Sequence, residues 1–358
     1  MADPTDNDTT RLQAMISGYM MSQILSVTAS LGIADLLGAG EASVAALAKS
    51  TGTHHRSLAR LLRALAAWGI LEETQPGCFR LTAFGAPLRT DVPESLHNLA
   101  LVRCGEAVWR SWSDLLHTVR TGETAFEHVF GMNSFQYTSL RPDRVAIFDD
   151  YMAGLTRRSI ATILAAHDFS QYRHIVDVGG GNGALLSRIL AAVPEAEGCI
   201  FDTPAGVKGA RRRLEQAGVV DRCLIATGDF FEAVPQAADA YIIKSVLHDW
   251  DDGQALTILE NCRRAMHPDG VLLIVERLLP EQITCCEAHR EITMMDMHML
   301  VVPGGRERTI AEYAELCAAA RLEPIGVRPT GSPFAIIQAR KAGAPTTRRT
   351  AQAEEQRP

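Results

Sequence analysis

The spacing of apolar residues changes character near residue 170. From residue 11 to about 170 the pattern is that of successive helices, whereas beyond it short apolar runs alternate with helical stretches. Such alternation predicts crossover units, and therefore a parallel sheet with helices on both faces. Two later runs leave no room for a helix between them and must pair as a hairpin. The predicted strands are 174–178, 198–201, 223–227, 240–244, 270–276, 322–327 and 334–338.

The first hundred residues predict a winged helix. Residues 14–37 carry one charge, at Asp35, and predict a continuously apolar helix that something must cover, a partner chain being one candidate. Two short helices follow, separated at 51–53, and a hairpin then turns at 75–77. A winged helix can bind DNA through its second helix, which here carries His54, His55, Arg56, Arg60 and Arg63.

Charge argues against DNA as a partner. Residues 1–100 contain seven Lys and Arg against nine Asp and Glu, and the whole chain carries a net charge of -7. Proteins that bind nucleic acid usually present a basic face, because they displace counterions from phosphates. We therefore predict a packing or dimerisation module, with no nucleic acid as partner.

The composition is that of a globular protein. Of the 358 residues, 47% are hydrophobic and 22% are charged. The N-terminal residues lack the features of a secretory signal, and no uncharged apolar run reaches about 18 residues, so we expect a cytoplasmic protein without a membrane span. The eight cysteines are scattered without C-x-x-C pairs, which favours free thiols over disulfides or a zinc site.

A glycine-rich segment, Asp177-Val-Gly-Gly-Gly-Asn-Gly, joins the first predicted strand to a helix that begins near Ala184. Ligands of open α/β sheets bind at this edge. The dinucleotide fingerprint G-x-G-x-x-G spaces its glycines differently, and Asp177 would repel a diphosphate but attract an ammonium group. The segment therefore favours a ligand with an amino-acid part, although glycine turns also follow strands for packing reasons alone.

Two further strand ends support a ligand. Asp202 ends the second strand, where a carboxylate can accept both hydroxyls of a ribose. Asp229 and Phe230 follow the third strand and offer an acceptor for an adenine amino group and an aromatic face for stacking. Ribose, adenine and an amino acid together make S-adenosyl-L-methionine, which is the predicted cofactor.

His248 follows the fourth strand at the same edge of the sheet. A single histidine is more often structural than catalytic. Here Glu276 ends the fifth strand, and Glu307 precedes a helix that Thr309 caps, so acids are available to it. His248 and Asp252 would share a helix face as possible metal ligands, but no second histidine lies nearby, and we predict no metal.

These segments carry a family resemblance. Residues 177–183, Gly228-Asp-Phe-Phe, Leu247-His-Asp-Trp and Gly304-Gly-Arg-Glu-Arg-Thr occur in the order and spacing of small-molecule O-methyltransferases, both of the plant caffeic acid type and of bacterial enzymes that methylate anthracyclines and other aromatic natural products. From residue 11 to about 340 the chain resembles that family. The resemblance implies an α/β class I methyltransferase fold with a Rossmann-like seven-stranded sheet, and a winged-helix domain that makes a homodimer. The predicted domains are 1–100 for dimerisation, 101–170 as helical linker and pocket segment, 171–341 for cofactor binding, and 342–358 as a disordered tail.

The resemblance also implies roles for individual residues. His248 would be the general base, with Glu276 and Glu307 orienting its imidazole. The cofactor contacts implied are Asp177, Gly179, Gly180, Gly181, Asp202, Asp229, Phe230 and Lys244. The acceptor pocket implied is lined by Phe148, Met152, Trp250, Met295 and Met299.

Elementary chemistry agrees with these roles. A phenol has a pKa of about 10 and histidine one of about 6.5, so a neutral imidazole in hydrogen-bonding reach can take the proton as the oxygen attacks carbon. A carboxylate on the far ring nitrogen fixes the tautomer and stabilises the imidazolium that forms. Because a sulfonium is already an activated methyl donor, the remaining catalysis is largely positioning.

The acceptor is less defined. Residues 294–299 contain four methionines in six positions, and methionine adapts to flat aromatic ligands, although such a helix can also simply fill core. Val301 and Val302 stand where the plant relatives have polar residues, so we predict a bulky apolar polycycle rather than a phenylpropanoid.

Three alternatives remain open from the sequence. The first is hydroxylation or decarboxylation of an anthracycline-type substrate on the same fold. The second is a ligand-responsive winged-helix regulator, and the third is a nicotinamide oxidoreductase, which the glycine spacing disfavours.

Overall fold

The computed structural model of the protein describes residues 4–343, with the side chains of 4–7, 142, 143 and 158 left undescribed. Its contacts divide the chain into two compact units. The first holds the chain up to Leu116 together with 140–154, and the second holds 117–139 together with the chain from Leu155 onward. The predicted domain boundaries stay predictions, and the predicted tail, 342–358, lies outside the described residues from 344 onward.

The first unit is helical with one small sheet. Its elements are α1 (Pro4–Ser30), α2 (Ile33–Leu36), β1 (Ala42–Ser43), α3 (Val44–Thr51), α4 (His55–Ala67), β2 (Leu71–Gln75), β3 (Cys78–Leu81), α5 (His97–Arg103), α6 (Glu106–Ser113), the start of α7 (Leu115–Thr121) and the first half of α10 (Pro142–Ala166).

The winged helix follows the predicted order. Helix α3 begins after Ser43, whose side chain accepts a hydrogen bond from the backbone of Ala46, and it ends at Gly52 in the left-handed region. Strands β2 and β3 pair as the predicted hairpin, and β1 joins the free edge of β3. Leu58 and Leu62 of α4 are buried in the core beneath this sheet.

The predicted single helix over residues 14–37 is wrong in its limits. Helix α1 begins at Pro4 and ends at Ser30. Gly32 has φ of 62°, a left-handed conformation that an α-helix cannot continue through, so a separate short helix follows. The exposed large apolar side chains of α1 are Leu12, Met15, Ile16, Tyr19, Met20 and Val27.

The second unit alternates helices with strands. Its elements are α8 (Ala125–Phe130), α9 (Ser134–Ser139), the second half of α10 (Pro142–Ala166), β4 (His174–Val178), α11 (Ala184–Ala192), β5 (Glu197–Asp202), α12 (Ala210–Gln216), β6 (Cys223–Thr227), β7 (Ala240–Lys244), α13 (Asp252–Ala265), β8 (Val271–Arg277), α14 (Glu287–Val301), α15 (Ile310–Ala319), β9 (Leu322–Pro329) and β10 (Phe334–Lys341).

The large sheet has the predicted seven strands. Their order is β6-β5-β4-β7-β8-β10-β9, and the first five strands are parallel. Strands β9 and β10 form the predicted antiparallel hairpin, with β10 paired to β8. The chain runs outward from β4 to β6 and then returns to the other side of β4, so the crevice between β4 and β7 is the switch point at which such sheets bind ligands.

Both faces of this sheet are buried. Alternate residues of β7 point to opposite sides, so Tyr241 and Ile243 pack in one apolar cluster while Ala240 and Ile242 pack in the other. This two-sided burial confirms the predicted α/β class. Among the residues described, no helix is both long enough and apolar enough to cross a membrane.

Candidate active site

The glycine-rich turn leads from β4 into α11 and leaves open space beside its backbone. Gly181 has φ of 56°, and a Cβ built there would meet no atom within 4 Å. Gly179 also has a positive φ, but a Cβ there would lie 2.5 Å from a methyl carbon of Val246. The left-handed conformation therefore requires glycine at both positions, and only Gly181 offers room for a ligand to approach the backbone.

Asp177 and Lys244 lie at the floor of this crevice, where β4 and β7 run side by side. Burial raises the pKa of Asp177 to about 7 and lowers the pKa of Lys244 to about 8. Gly180 lies directly against Asp177, since a Cβ there would be 2.9 Å from its carboxyl carbon. Asp177 is 2% exposed, so it supports the turn from within, and its charge at neutral pH is only partial.

Asp202 at the end of β5 is held by backbone donors. Its Oδ2 accepts from the N–H of Gly181 at 2.9 Å and its Oδ1 from the N–H of Thr203 at 2.6 Å. Burial raises the pKa of Asp202, while these bonds oppose that rise. The carboxylate therefore has a fixed position next to the open side of Gly181.

Aromatic side chains gather beyond β6. Phe230 contacts Phe231 and Trp250, with ring centroids 5.0 and 6.0 Å apart, and Phe135 stacks on Trp250 at 5.6 Å. Asp229 accepts from the backbone N–H of Phe231 at 2.8 Å and is exposed. The sequence did not single out Phe135 as a site residue.

His248 lies in a 3₁₀ turn, 247–249, just after β7. Its side chain is nearly buried, and its Nδ1 is 3.0 Å from Oε1 of Glu307. Glu276 lies farther away, with Oε2 at 3.9 Å from the same nitrogen. Glu307 is therefore the acid placed to fix the tautomer, which leaves Nε2 of His248 for a reacting group.

Glu276 acts instead on the backbone of the turn. Its Oε1 accepts from the N–H groups of Val246 and Leu247, each at 3.0 Å. Sequence reasoning gave Glu276 and Glu307 one shared role, but in the structure only Glu307 makes a hydrogen bond to the imidazole.

The electrostatics of the turn favour a charged imidazole. Burial alone would lower the pKa of His248, but the charges of Glu276 and Asp249 and the hydrogen bond to Glu307 outweigh it and raise that pKa to about 9. Asp249, whose pKa burial raises to about 6, lies 3.6 Å from Nε2 through its Oδ1. A carboxylate thus faces each ring nitrogen.

Arg308, in the loop before α15, binds the backbone of the turn that carries His248, and we call its contacts the clamp. Arg308 has no exposed surface, and its guanidinium donates to the carbonyls of Leu247 at 2.9 Å and Trp250 at 2.8 Å. It also donates to Oδ1 of Asp252 at 2.7 Å. Asp252 is therefore a partner of Arg308 at the start of α13, and the expectation that it shares a helix face with His248 is wrong.

Gly305 explains how the two loops approach so closely. A Cβ on Gly305 would lie 1.9 Å from the carbonyl oxygen of His248, and the N–H of Arg306 donates to that oxygen at 2.8 Å. Sequence reasoning used this Gly-Gly-Arg-Glu-Arg-Thr segment for the family resemblance, for Glu307 and for the cap at Thr309, and gave Arg308 no role. Two arginines in so short a motif were the signal that could have identified the clamp.

The predicted pocket residues divide between the two units. Met299 is buried on α14 and Met295 is half-buried, while Asp296 between them accepts from the backbone N–H of Glu307 at 2.9 Å. Phe148 and Met152 lie in the part of α10 that belongs to the first unit. Their place in an acceptor pocket stays a prediction.

Comparison with known proteins gives a family match over most of the chain. Residues 112–322 match an O-methyltransferase domain, and residues 13–91 match an O-methyltransferase dimerisation domain. The chain is 44% identical over 329 residues to phenazine O-methyltransferase PhzM of Lysobacter antibioticus, covering 92% of this chain and 95% of that one. It is also 44% identical over 335 residues to O-demethylpuromycin-O-methyltransferase of Streptomyces alboniger, covering 92% and 88%.

A solved structure shows the same similarity in three dimensions. NcsB1, an O-methyltransferase from neocarzinostatin biosynthesis, was crystallised with S-adenosylmethionine and 2-hydroxy-5-methyl naphthoic acid. It is 33% identical, superposes with a TM-score of 0.80, and the match covers 90% of this chain and 96% of that one.

Proposed function

This chain belongs to the S-adenosyl-L-methionine-dependent O-methyltransferase family, as its sequence predicted, and we propose that it methylates a phenolic or enolic hydroxyl with His248 as the general base. One observation carries the assignment of the base. His248 stands at the same sheet edge as the glycine-rich turn, with Nδ1 held by Glu307 at 3.0 Å. That bond leaves Nε2 as the nitrogen able to accept a proton.

The residues at the crevice fit the cofactor. Gly181 leaves open space at its backbone, and Asp202 stands beside it with a fixed carboxylate suited to a ribose. Asp229 and Phe230 follow the neighbouring strand, where an acceptor and an aromatic ring suit an adenine. Lys244 and Asp177 form the floor near the amino-acid end. When bound, the cofactor supplies a methyl group on a sulfonium, which is already activated for transfer.

In the proposed reaction His248 takes the hydroxyl proton. Nε2 takes the proton as the O–H bond breaks, while the bound cofactor would supply the methyl group to the acceptor oxygen and leave as a neutral thioether. The positive charge thus passes to the imidazole, where Glu307 stabilises it through Nδ1–H. The contacts of Arg308 with the carbonyls of Leu247 and Trp250 fix the backbone of the turn that carries the ring.

We propose a flat aromatic acceptor, and a polycycle within that class. Met295 and Met299 on α14 support this, because thioether side chains adapt to flat aromatic surfaces. Among the relatives, one is named for phenazine methylation and one was crystallised with a naphthoic acid, whereas another is named for O-demethylpuromycin. The preference for a polycycle therefore needs a direct test.

The test is a panel of hydroxyphenazines, hydroxynaphthoic acids and simple phenols, each incubated with S-adenosylmethionine and followed by mass spectrometry. We expect a product heavier by one CH₂ unit, formed with S-adenosylhomocysteine. A product heavier by one oxygen, or lighter by carbon dioxide, would support the alternative hydroxylase or decarboxylase.

The His248→Ala variant tests the base. It should bind S-adenosylmethionine as the wild type does in a calorimetric titration, while its turnover falls by roughly 10² to 10⁴. Unchanged turnover would refute the assignment.

We also propose that the chain works as a homodimer. The match of residues 13–91 to a dimerisation domain and the exposed apolar side chains of α1 support this. Light scattering after size exclusion should give twice the 38.9 kDa chain mass, and a stable monomer would contradict it. A gel shift with DNA at physiological salt should show no band, in contrast to the regulator alternative.

A further inference from the structure

Two carboxylates and one imidazole are buried together beneath the catalytic turn. Glu276 and Glu307 have no exposed surface, and one oxygen of each lies within 4.8 Å of the other and of a nitrogen of His248. If both acids were ionised, two negative charges would face one imidazole at a site buried from bulk solvent. Paired carboxylates in such positions usually hold one proton between them, because like charges at short range destabilise each other.

Each of the two acids has one carboxylate oxygen without a hydrogen-bond partner. Oε2 of Glu276 and Oε2 of Glu307 are both buried without a hydrogen-bond partner. A buried acceptor without a partner is costly. A proton on Oε2 of Glu276 turns that oxygen into a donor, which can reach the neighbouring carboxylate of Glu307 through side-chain movement or through one bridging water.

The geometry also indicates which acid holds the proton. Glu307 accepts from Nδ1 of His248 at 3.0 Å, and this bond stabilises its ionised form. Glu276 makes no such bond to a cation, and its two backbone donors both reach Oε1. A neutral carboxylic acid keeps those two bonds on its carbonyl oxygen and places its O–H at Oε2.

The other charged groups around Glu276 do not supply a close counterion. Lys244 on β7 donates to the hydroxyls of Thr156 at 3.3 Å and Ser245 at 3.2 Å, and within the described part of the chain it makes no ion pair shorter than 4.0 Å. The remaining titratable groups that influence this cluster are Asp177 on β4, Asp249 in the turn, Arg277 on β8, Asp296 on α14, Arg308 in the clamp and Tyr313 on α15.

We propose that Glu276 is a neutral carboxylic acid in the working enzyme, sharing its proton with Glu307, so that His248 faces one negative charge at Nδ1. This inference rests on the proposed role of His248 as the base and deepens it. Glu276 is then a positioning residue: it holds the backbone of the turn and leaves the imidazole uncharged often enough to accept a proton.

The charge state of Glu276 controls the pKa of His248. Among the groups that raise the pKa of His248, the charge of Glu276 is the largest. With that charge present the pKa is about 9, and the imidazole is mostly protonated at neutral pH, which prevents it from acting as a base. Burial raises the pKa of Glu276, and protonation there lets the pKa of His248 return toward its ordinary value.

The same substitution at the two neighbouring acids tests the proposal. Glu276→Gln copies a neutral acid, so the pH at which its turnover rises should not move, and its turnover should fall less than that of Glu307→Gln. Glu307→Gln removes the stabilising charge, and its turnover should fall by roughly 10². An equal loss in both variants would overturn the proposal. So would a rise of turnover at lower pH in Glu276→Gln, because that shift would mean an ionised carboxylate had been removed. Thermal unfolding of both variants checks that each is folded.

Infrared spectroscopy gives a readout that does not depend on activity. The difference spectrum of wild type minus Glu276→Gln at neutral pH should show the carbonyl stretch of one buried carboxylic acid, because any signal from Asp177 is common to both proteins and cancels. A difference spectrum without this band would overturn the proposal even if all variants turned over as expected. If His248→Ala keeps full turnover while the band is present, the base assignment fails and the protonated Glu276 stands.

Discussion

Replacing Arg308 should destabilise the fold and reduce catalysis together, although Arg308 touches neither the acceptor nor the cofactor in the proposed reaction. Its guanidinium bonds two backbone carbonyls on either side of His248. In Arg308→Met both carbonyls lose a charged donor. A bond of this kind is worth about 1.5 to 3 kcal/mol, so the free energy of unfolding should fall by about 3 to 5 kcal/mol. The ion pair with Asp252 adds little, because the Asp252 side chain is 57% exposed.

The catalytic loss follows from the same contacts. Without the clamp the 247–250 turn loses two of its backbone contacts and keeps those with Glu276 and with the N–H of Arg306. A displacement of about 1 Å at His248 can lower turnover by about 10². Urea unfolding followed by circular dichroism measures the stability, and turnover at saturating cofactor measures the positioning.

Arg306→Met is the matched control. Arg306 lies two residues away in the same motif, but its side chain is 43% exposed and it pairs with acids at the surface. Its loss should change the free energy of unfolding by less than about 1 kcal/mol and leave turnover nearly unchanged. The proposed role of Arg308 would be refuted if the two substitutions had equal effects. It would also be refuted if Arg308→Met kept the urea midpoint and the turnover of the wild type.

Four further outcomes are expected. Gly305→Ala places a Cβ 1.9 Å from the carbonyl oxygen of His248, so this variant should lower turnover sharply. Gly331→Ala, at an open turn, should affect stability only, and equal turnover in both variants would contradict the close approach. Because the base must be neutral, kcat/KM should rise with pH, and the midpoint of the rise should lie between 6.5, the ordinary pKa of histidine, and about 9, the raised pKa of His248. A midpoint at or below 6.5 would show that Glu307 does not stabilise the imidazolium. The stabilising effect of the His248 charge on the fold should likewise be complete below about pH 6.5. It should be lost as the pH rises through the same midpoint between 6.5 and about 9, which pH-dependent thermal unfolding of wild type and His248→Ala would measure. Extensive dialysis against EDTA should leave turnover unchanged, and a loss restored by one divalent cation would overturn the prediction of a metal-free site.

Much of the fold could be predicted because its signals are local. The limits of β4, β6 and β7 agree with the predicted runs, since each is a short apolar segment bounded by turn residues. The pairing of β9 with β10 followed from the length of chain between them. The helix over 14–37 was misplaced because hydropathy runs through Gly32 without change, whereas the backbone conformation there does not.

The sequence by itself determined the fold class, the family, the cofactor and the set of acids that meet at one sheet edge, because parallel strands bring their carboxyl ends together whatever their distance along the chain. Only the tertiary structure decided which acid binds the imidazole of His248 and which binds the backbone of the turn. Glu307 reaches His248 across 59 positions, and Arg308 reaches Leu247 across 61, through contacts of about 3 Å. Side-chain contacts of that kind depend on how two loops pack against each other, and no periodicity or spacing in the sequence encodes that packing.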